Sequence, residues 1–305
     1  MLAIKTEKLT KKYKEVTAVK ELDLEIKEGS VFGLLGPNGA GKTTTLKMLM
    51  GFVAPDRGQS FILGEKVTTR RADYKNRIGF LPDVPEFYNW MTAEEFLQFS
   101  CDLLGLESEK KKDHLGKLLE MADLKGVKTK IGGFSRGMKQ RLGIAQALIN
   151  DPEVVFMDEP TSALDPIGRK EVLELIREFS GQTTVLLSTH ILTDVERVCD
   201  TVGILNEGKL IEQKTMEQLK KEYFASTLKL DLAGARLDDF LACIKENDLI
   251  ENIENHSGEI RLVVSDLARA QVELPKIIGE YDLQIKSFRT AETNLEDIFV
   301  KLVSK

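Results

Sequence analysis

Leu22, Leu24 and Ile26 alternate with charged neighbours, a period of two that predicts a half-buried antiparallel strand. Residues 2–36 read as strands, interrupted by a turn at Glu28-Gly29-Ser30. Val31 to Leu35 is a nearly continuous apolar run, as a strand buried on both faces requires. A glycine-rich loop follows Gly36, and Lys42 to Met50 carries a helical pattern. Residues 84–150 read as mostly helical. Phe96, Leu97, Leu103 and Leu104 predict one buried stripe there, and Leu115, Leu118, Leu119 and Ala122 a second. Residues 154–157, Val-Val-Phe-Met, predict another short buried strand. Helix 168–179, strand 183–189, helix 191–199 and a hairpin of strands 201–206 and 209–213 about Glu207-Gly208 follow. This alternation predicts an α/β fold with a mainly parallel central sheet.

Near residue 224 the pattern changes. Strand 227–232, helix 236–247, strand 250–256, strand 259–265, helix 266–280 and strand 283–290 follow in the order βαββαβ, that of a small ferredoxin-like sandwich, and helix 294–303 closes the chain. The expected organisation is a first domain over 1–224, with a helical subdomain at about 84–150, and an accessory α+β domain over 225–305. A chain of 305 residues accommodates one large and one small domain.

A net charge of −6 makes nucleic acid a poor partner, since that requires a basic face. The run Lys110-Lys111-Lys112 reads as a solvated helix face. Cys101, Cys199 and Cys243 form no CxxC pair and read as reduced thiols, against both disulfides and a zinc site. Lys5, Glu7 and Lys8 interrupt the first apolar residues before a signal peptide can form. No apolar run approaches the ~18 residues needed to cross a bilayer. Work at a membrane would require another chain to supply the membrane part.

Gly36-Pro37-Asn38-Gly39-Ala40-Gly41-Lys42-Thr43 matches G-x-x-x-x-G-K-[ST] in full, between a buried strand and the helix that Thr44 continues. Glycines let such a loop curl so that its N–H groups face phosphate oxygens, and the helix N-terminus adds partial positive charge. Lys42 is then placed to bridge the β- and γ-phosphates and Thr43 to hold Mg²⁺. The strand 154–157 runs into Asp158 and Glu159. A carboxylate at that tip, Asp158, can reach Mg²⁺, and Glu159 can polarise an attacking water as general base. Ser135 is a good N-cap for the helix that follows it, on which Met138, Leu142, Ala145 and Ile149 keep an apolar stripe.

The segment Gly133-Phe134-Ser135-Arg136-Gly137-Met138-Lys139-Gln140-Arg141 resembles the signature loop of ATP-binding cassette proteins. The order of phosphate loop, signature, acidic strand, Ser162-Ala163-Leu164-Asp165 and His190 is similar to that family over residues 2–222. The resemblance implies that Tyr13 stacks on adenine, and that Ser135 and Gly137 contact the γ-phosphate of ATP held by a second copy. It implies that Asp165 lies in the loop coupling the two copies and that His190 is the switch histidine contacting the γ-phosphate. His114 and His256 read as surface residues.

Two segments depart from the pattern. Arg136 and Met138 alter the signature, leaving open whether Gln140 takes part in the site. Asp83, after Arg77-Ile78-Gly79-Phe80-Leu81-Pro82, stands where glutamine is common. Its carboxylate can ligate Mg²⁺ but cannot donate a hydrogen bond when ionised. Residues 85–92 and the tail Asn294-Leu295-Glu296-Asp297-Ile298-Phe299-Val300 resemble the bacterial exporter branch that includes drug and antibiotic-resistance ATPases.

The expected function is therefore an ATPase that uses ATP and Mg²⁺ to power export through a separate membrane permease. It would work as a head-to-tail pair with itself or a related subunit, in the cytoplasm on the inner face of the cell membrane. A soluble cassette protein acting on ribosomes or DNA is the alternative. Its translation-type members usually carry two cassettes per chain, whereas a single phosphate loop is present here. A P-loop kinase or GTPase would not call for the Ser135–Gly137 segment or His190, and a degenerate cassette would bind ATP without turnover.

Overall fold

The computed structural model describes the chain except residues 71, 72, 106, 107, 224, 225, 246, 257, 258, 291–294, 297 and 300–305; for 108–112, 220–223, 226, 255 and 256 it describes the backbone alone. Two compact units emerge, Met1–Met216 and Glu217–Lys305.

In the first unit β1 (Leu2–Tyr13) and β2 (Val16–Lys27) form a long hairpin. With β4 (Arg57–Ile62) and β5 (Glu65–Lys66) they make an antiparallel sheet in the order β2-β1-β4-β5. The period of two in the sequence is realised on β2: Leu22, Leu24 and Ile26 are buried and the residues between them exposed.

The central sheet contains β3 (Val31–Leu35), β6 (Ile78–Leu81), β7 (Val154–Asp158), β8 (Thr184–Thr189), β9 (Thr201–Asn206) and β10 (Lys209–Thr215). Its order is β10-β9-β3-β8-β7-β6, parallel except for the antiparallel edge strand β10. Every residue of β3, β7 and β8 is buried, which explains the apolar runs Val31–Leu35, Val154–Met157 and Val185–Leu187 within them. The register aligns Leu35 with Thr189 and Asp158 with Ser188. The loops leaving β3, β7 and β8 therefore emerge side by side at the carboxyl edge of the sheet, the usual place for a ligand in this class of fold.

The first unit also holds α1 (Lys42–Leu49), α2 (Ala93–Leu104), α3 (Ser108–Met121), α4 (Arg136–Ala147), α5 (Pro166–Phe179) and α6 (Leu192–Val198). Phe32, Phe156, Leu46, Leu49 and Tyr74 join Ile4, Leu22, Leu24 and Ile26 in one core. A capping box between Thr92 and Glu95 starts α2, and Gly105 in the left-handed region ends it. The buried stripe of α2 is Ala93, Phe96, Leu97, Ser100 and Cys101. Leu103 and Leu104, expected on that stripe, are 72% and 50% exposed. They fall in the terminal turn, past the last packed position and just before the chain reverses at Gly105. The side chains of Lys110, Lys111 and Lys112 lie outside the described residues.

A short helix, α7 (Met216–Tyr223), spans the boundary between the units. The second unit then runs β11 (Ser226–Ala233), α8 (Leu237–Lys245), β12 (Ile250–His256), β13 (Glu259–Val264), α9 (Leu267–Glu280) and β14 (Gln284–Thr290). Its sheet is antiparallel in the order β12-β13-β11-β14. Leu228, Leu230 and Leu232 share a core with Phe240, Ile244, Leu274 and Ile278 of the two helices. Helix 294–303 lies largely outside the described residues, although Leu295 and Ile298 are buried. Cys101 and Cys199 are buried, Cys243 is exposed, and none of the three is in a disulfide. No helix among the described residues is long and apolar enough to cross a membrane.

Candidate nucleotide-binding and hydrolysis site

The loop between β3 and α1 forms an open cavity of about 420 Å³ lined by Ala18, Asn38–Thr44, Asp83 and Glu159. Gly41 has φ +106° immediately before α1, and a Cβ there would stand 2.3 Å from the Ala18 carbonyl oxygen. Only glycine allows this turn so close to β2. The helix N-terminus has no side-chain cap, so its N–H groups are available to an anion at the cavity. Lys42 is 6% exposed. Its Nζ donates to the Gly36 carbonyl (2.8 Å) and the Pro37 carbonyl (3.3 Å), and lies 3.2 Å from Glu159 Oε1.

Asp158 ends β7, and its Oδ1 accepts from Thr43 Oγ1 at 3.1 Å and from the Ser188 hydroxyl on β8. Glu159 follows in the left-handed region at φ +47°, with its N–H bonded to the Ser188 carbonyl at 2.9 Å. That conformation is strained for a non-glycine residue, by about 1–3 kcal/mol. Its carboxylate sits between Lys42 on one side and His190 on the other, where His190 Nδ1 is 2.9 Å from Oε2. A carboxylate held by a cation and an imidazole at a cavity wall can accept a proton from water.

Asp83 faces the same cavity. Burial pushes its carboxyl above the usual carboxylate range, against the pull of Arg136, and the negative charges of Asp158 and Glu159 add to the rise. Arg136 Nη2 lies 4.0 Å from Asp83 Oδ1. Thr43, Asp158 and Asp83 offer oxygen donors only. Such a sparse oxygen set fits Mg²⁺, which keeps several waters and shares phosphate oxygens.

The remaining sequence candidates lie elsewhere. Tyr13 is 45% exposed at the end of β1, with Lys11 Nζ 5.5 Å from its ring centroid. Ser135 caps α4, its Oγ accepting from Met138 N at 3.2 Å. Asp165 caps α5, accepting from Gly168 N at 3.0 Å. A Cβ at Gly137 would be 3.9 Å from Gly168 Cα, which places these two helix starts together, and neither lines the phosphate-loop cavity. Gln140 is buried within α4, 2% exposed, and does not reach the cavity. His114 lies at the surface but is partly buried: its side chain is 23% exposed, with Nε2 2.9 Å from the Ile149 carbonyl, because α3 packs beside the end of α4. The side chain of His256 lies outside the described residues. Sequence reasoning missed Ala18 and Ser188. Ser188 carried a signal: a hydroxyl directly after the apolar run Val185-Leu186-Leu187 of a buried strand must find a partner.

A phosphate loop after a buried strand, an acidic strand tip bonded to that loop, and a histidine against the second acid define a P-loop ATPase. The profile of the ABC transporter family matches residues 19–162. An ABC transporter ATP-binding protein of Bacillus subtilis, YxlF, is 40% identical over 99% of this chain and 99% of its own length. The bacitracin transport ATP-binding protein BcrA of Bacillus licheniformis is 38% identical over 98% of this chain and 97% of its own. Among solved structures, a dimeric ATP-binding cassette bound to ADP and phosphate is 26% identical, with a TM-score of 0.62. That match covers 70% of this chain and 98% of that one. The chain belongs to the ABC transporter family and is an ATP-binding, ATP-hydrolysing subunit of such a transporter.

Proposed function

We propose that this subunit powers export through a separate membrane-spanning permease, with Glu159 as general base. The observation that carries the reading is the seating of Glu159 at the phosphate-loop cavity between Lys42 and His190. Residues Gly36 to Thr44 wrap the phosphates, Lys42 leaves Glu159 for the phosphate oxygens, and His190 holds the γ-phosphate and the orientation of Glu159. When bound, Mg²⁺ would offset charge on the phosphates, held by Thr43, Asp158 and Asp83. Tyr13 stacks on adenine.

Ser135, Gly137 and Asp165 lie off the cavity of their own chain, which supports their serving the site of a second copy or a related subunit placed head to tail. The similar cassette that is dimeric with ADP and phosphate bound supports pairing of two subunits. Nucleotide then biases a population toward the closed pair, and hydrolysis releases it. In this reading residues 1–224 are the nucleotide-binding domain, and 225–305 are an accessory scaffold. The permease contacts the helical subdomain, where Val84, Trp90, Leu103 and Leu104 expose apolar surface next to Asp83 in sequence or beyond the packed stripe of α2. In this reading the subunit works in the cytoplasm, peripheral on the inner face of the membrane. The relative named for bacitracin transport supports an antibiotic as cargo.

The test is to express tagged Glu159→Gln protein in its host and purify it from detergent-solubilised membranes with ATP. Recovery of a multi-span membrane protein is expected. Ribosomal proteins, or no membrane partner, would overturn the transporter reading.

A further inference from the structure

Two loops carry these residues, the β7–α5 loop with Glu159 at its start and Asp165 at its end and the β8–α6 loop with His190, and a buried polar cluster that the hydrolysis chemistry does not use joins them. Its centre is Asp194 in the first turn of α6, four residues past His190 and 2% exposed. Thr161, two residues past Glu159 and 1% exposed, donates its hydroxyl to Asp194 Oδ2. Arg169, whose N–H bonds the Asp165 carbonyl at 2.9 Å, brings its Nε to 3.2 Å from Asp194 Oδ1. That last contact is close but off the hydrogen-bonding direction, and among the described residues neither atom has an aligned partner. Burial pushes the Asp194 carboxyl up, while Thr161 and Arg169 hold it down. A carboxylate in such a place persists only with its partners, so the cluster behaves as a unit.

We infer that Asp194 is a positioning residue that ties both ends of the β7–α5 loop, Glu159 and Asp165, and the His190 loop into one rigid piece. Thr161 fixes the turn that aims Glu159. The start of α6, anchored also by Ile191 N on Thr189 Oγ1 at 3.0 Å, fixes His190. Arg169 links both to the Asp165 end of α5. The seating of a partner against Asp165 thereby reaches the Glu159–His190 contact through the polar contacts of Arg169 and Thr161 with Asp194. The inference rests on the reading of Glu159 and His190 as hydrolytic residues.

The decisive variants are Thr161→Val, which keeps the shape and strips the donor, Thr161→Ser, which restores it, and Arg169→Gln. Each is assayed at a temperature where circular dichroism reports folded protein, for nucleotide affinity, KM and kcat. Thr161→Val is expected to lower kcat about 10- to 100-fold, the scale of a small misplacement of reacting groups, with KM and ATP affinity within about twofold. Thr161→Ser is expected to recover kcat to within about threefold. The double variant Thr161→Val/Arg169→Gln is expected to be no slower than the slower single variant. If Thr161→Val does not fold, Arg169→Gln, on the more exposed side of the cluster, carries the same split between kcat and KM. Unchanged kcat, effects that multiply in the double variant, or a parallel loss of kcat and ATP affinity would overturn the inference. Glu159→Gln in the same assay separates the two levels. If it is inactive while Thr161→Val is not, only the positioning role fails; if it hydrolyses at the wild-type rate, the hydrolytic reading fails and the inference with it.

Discussion

Substitution of Gly41 by alanine isolates what the phosphate loop requires of its backbone. At φ +106° an alanine is strained by about 1–3 kcal/mol. Its Cβ would sit 2.3 Å from the Ala18 carbonyl oxygen, where ordinary contact begins at 3.4 Å, so the loop and β2 must part by 3.4 − 2.3 = 1.1 Å. Overpacking of this kind adds about 1–3 kcal/mol. Together the two effects come to roughly 2–6 kcal/mol, removed from nucleotide binding because the strained conformation is the one that turns N–H groups inward. At about 1.4 kcal/mol per decade, ATP affinity is expected to fall about 30- to 20,000-fold. Gly39→Ala is the internal control. Its φ is +82°, but nothing stands within 4 Å of the added carbon, so strain alone applies. About 1–2 kcal/mol is expected there, a loss of roughly 5- to 30-fold. Calorimetric titration of both variants with ATP measures the difference. Gly41→Ala protein that binds ATP within threefold of wild type, or no more weakly than Gly39→Ala, would refute the reasoning.

Thr92→Ala removes the capping box of α2 and is expected to destabilise the protein by about 1 kcal/mol, lowering Tm by about 2–4 °C in a calorimetric scan. Asp83→Asn is expected to raise Tm at pH 7 to 8. Burial lifts the Asp83 carboxyl above its ordinary value of 3.8, so the folded state holds the proton more tightly than the unfolded state. Stability is therefore lost as pH rises from that ordinary value through the raised one, and the advantage of Asn should vanish in acid below both values. An equal gain at all pH would contradict this. Trp90→Glu is expected to leave the ATPase rate of the isolated subunit unchanged and to abolish recovery of the membrane partner, as Trp90 is 67% exposed and remote from the phosphate loop in sequence.

The phosphate loop was legible because its residues are contiguous and its chemistry is written in glycine, lysine and threonine. The strands β3 and β7 were legible for the same reason, since burial on both faces leaves no polar residue inside them. The second unit's βαββαβ order followed from alternating periods of two and of helical spacing. Contacts across the sheet were not readable. The meeting of Glu159 with His190 depends on β7 and β8 lying parallel with Asp158 opposite Ser188. Thr161, Arg169 and Asp194 are unremarkable polar residues in sequence, and only the packing of α5 and α6 makes them a cluster. Leu103 and Leu104 misled because helical spacing shows which face is apolar, not how far along the helix its neighbours extend. Asp83 and Arg136 each looked like an isolated departure, yet they face one another at 4.0 Å.

The most direct test of an ATP-closed pair with Glu159 as its base is light scattering on purified Glu159→Gln protein with Mg²⁺-ATP, alongside phosphate release. The expected result is a species of twice the monomer mass that forms with ATP, disperses when ATP is replaced by ADP, and releases no phosphate above background. A protein that stays monomeric at saturating ATP, or that releases phosphate at the wild-type rate, would contradict it.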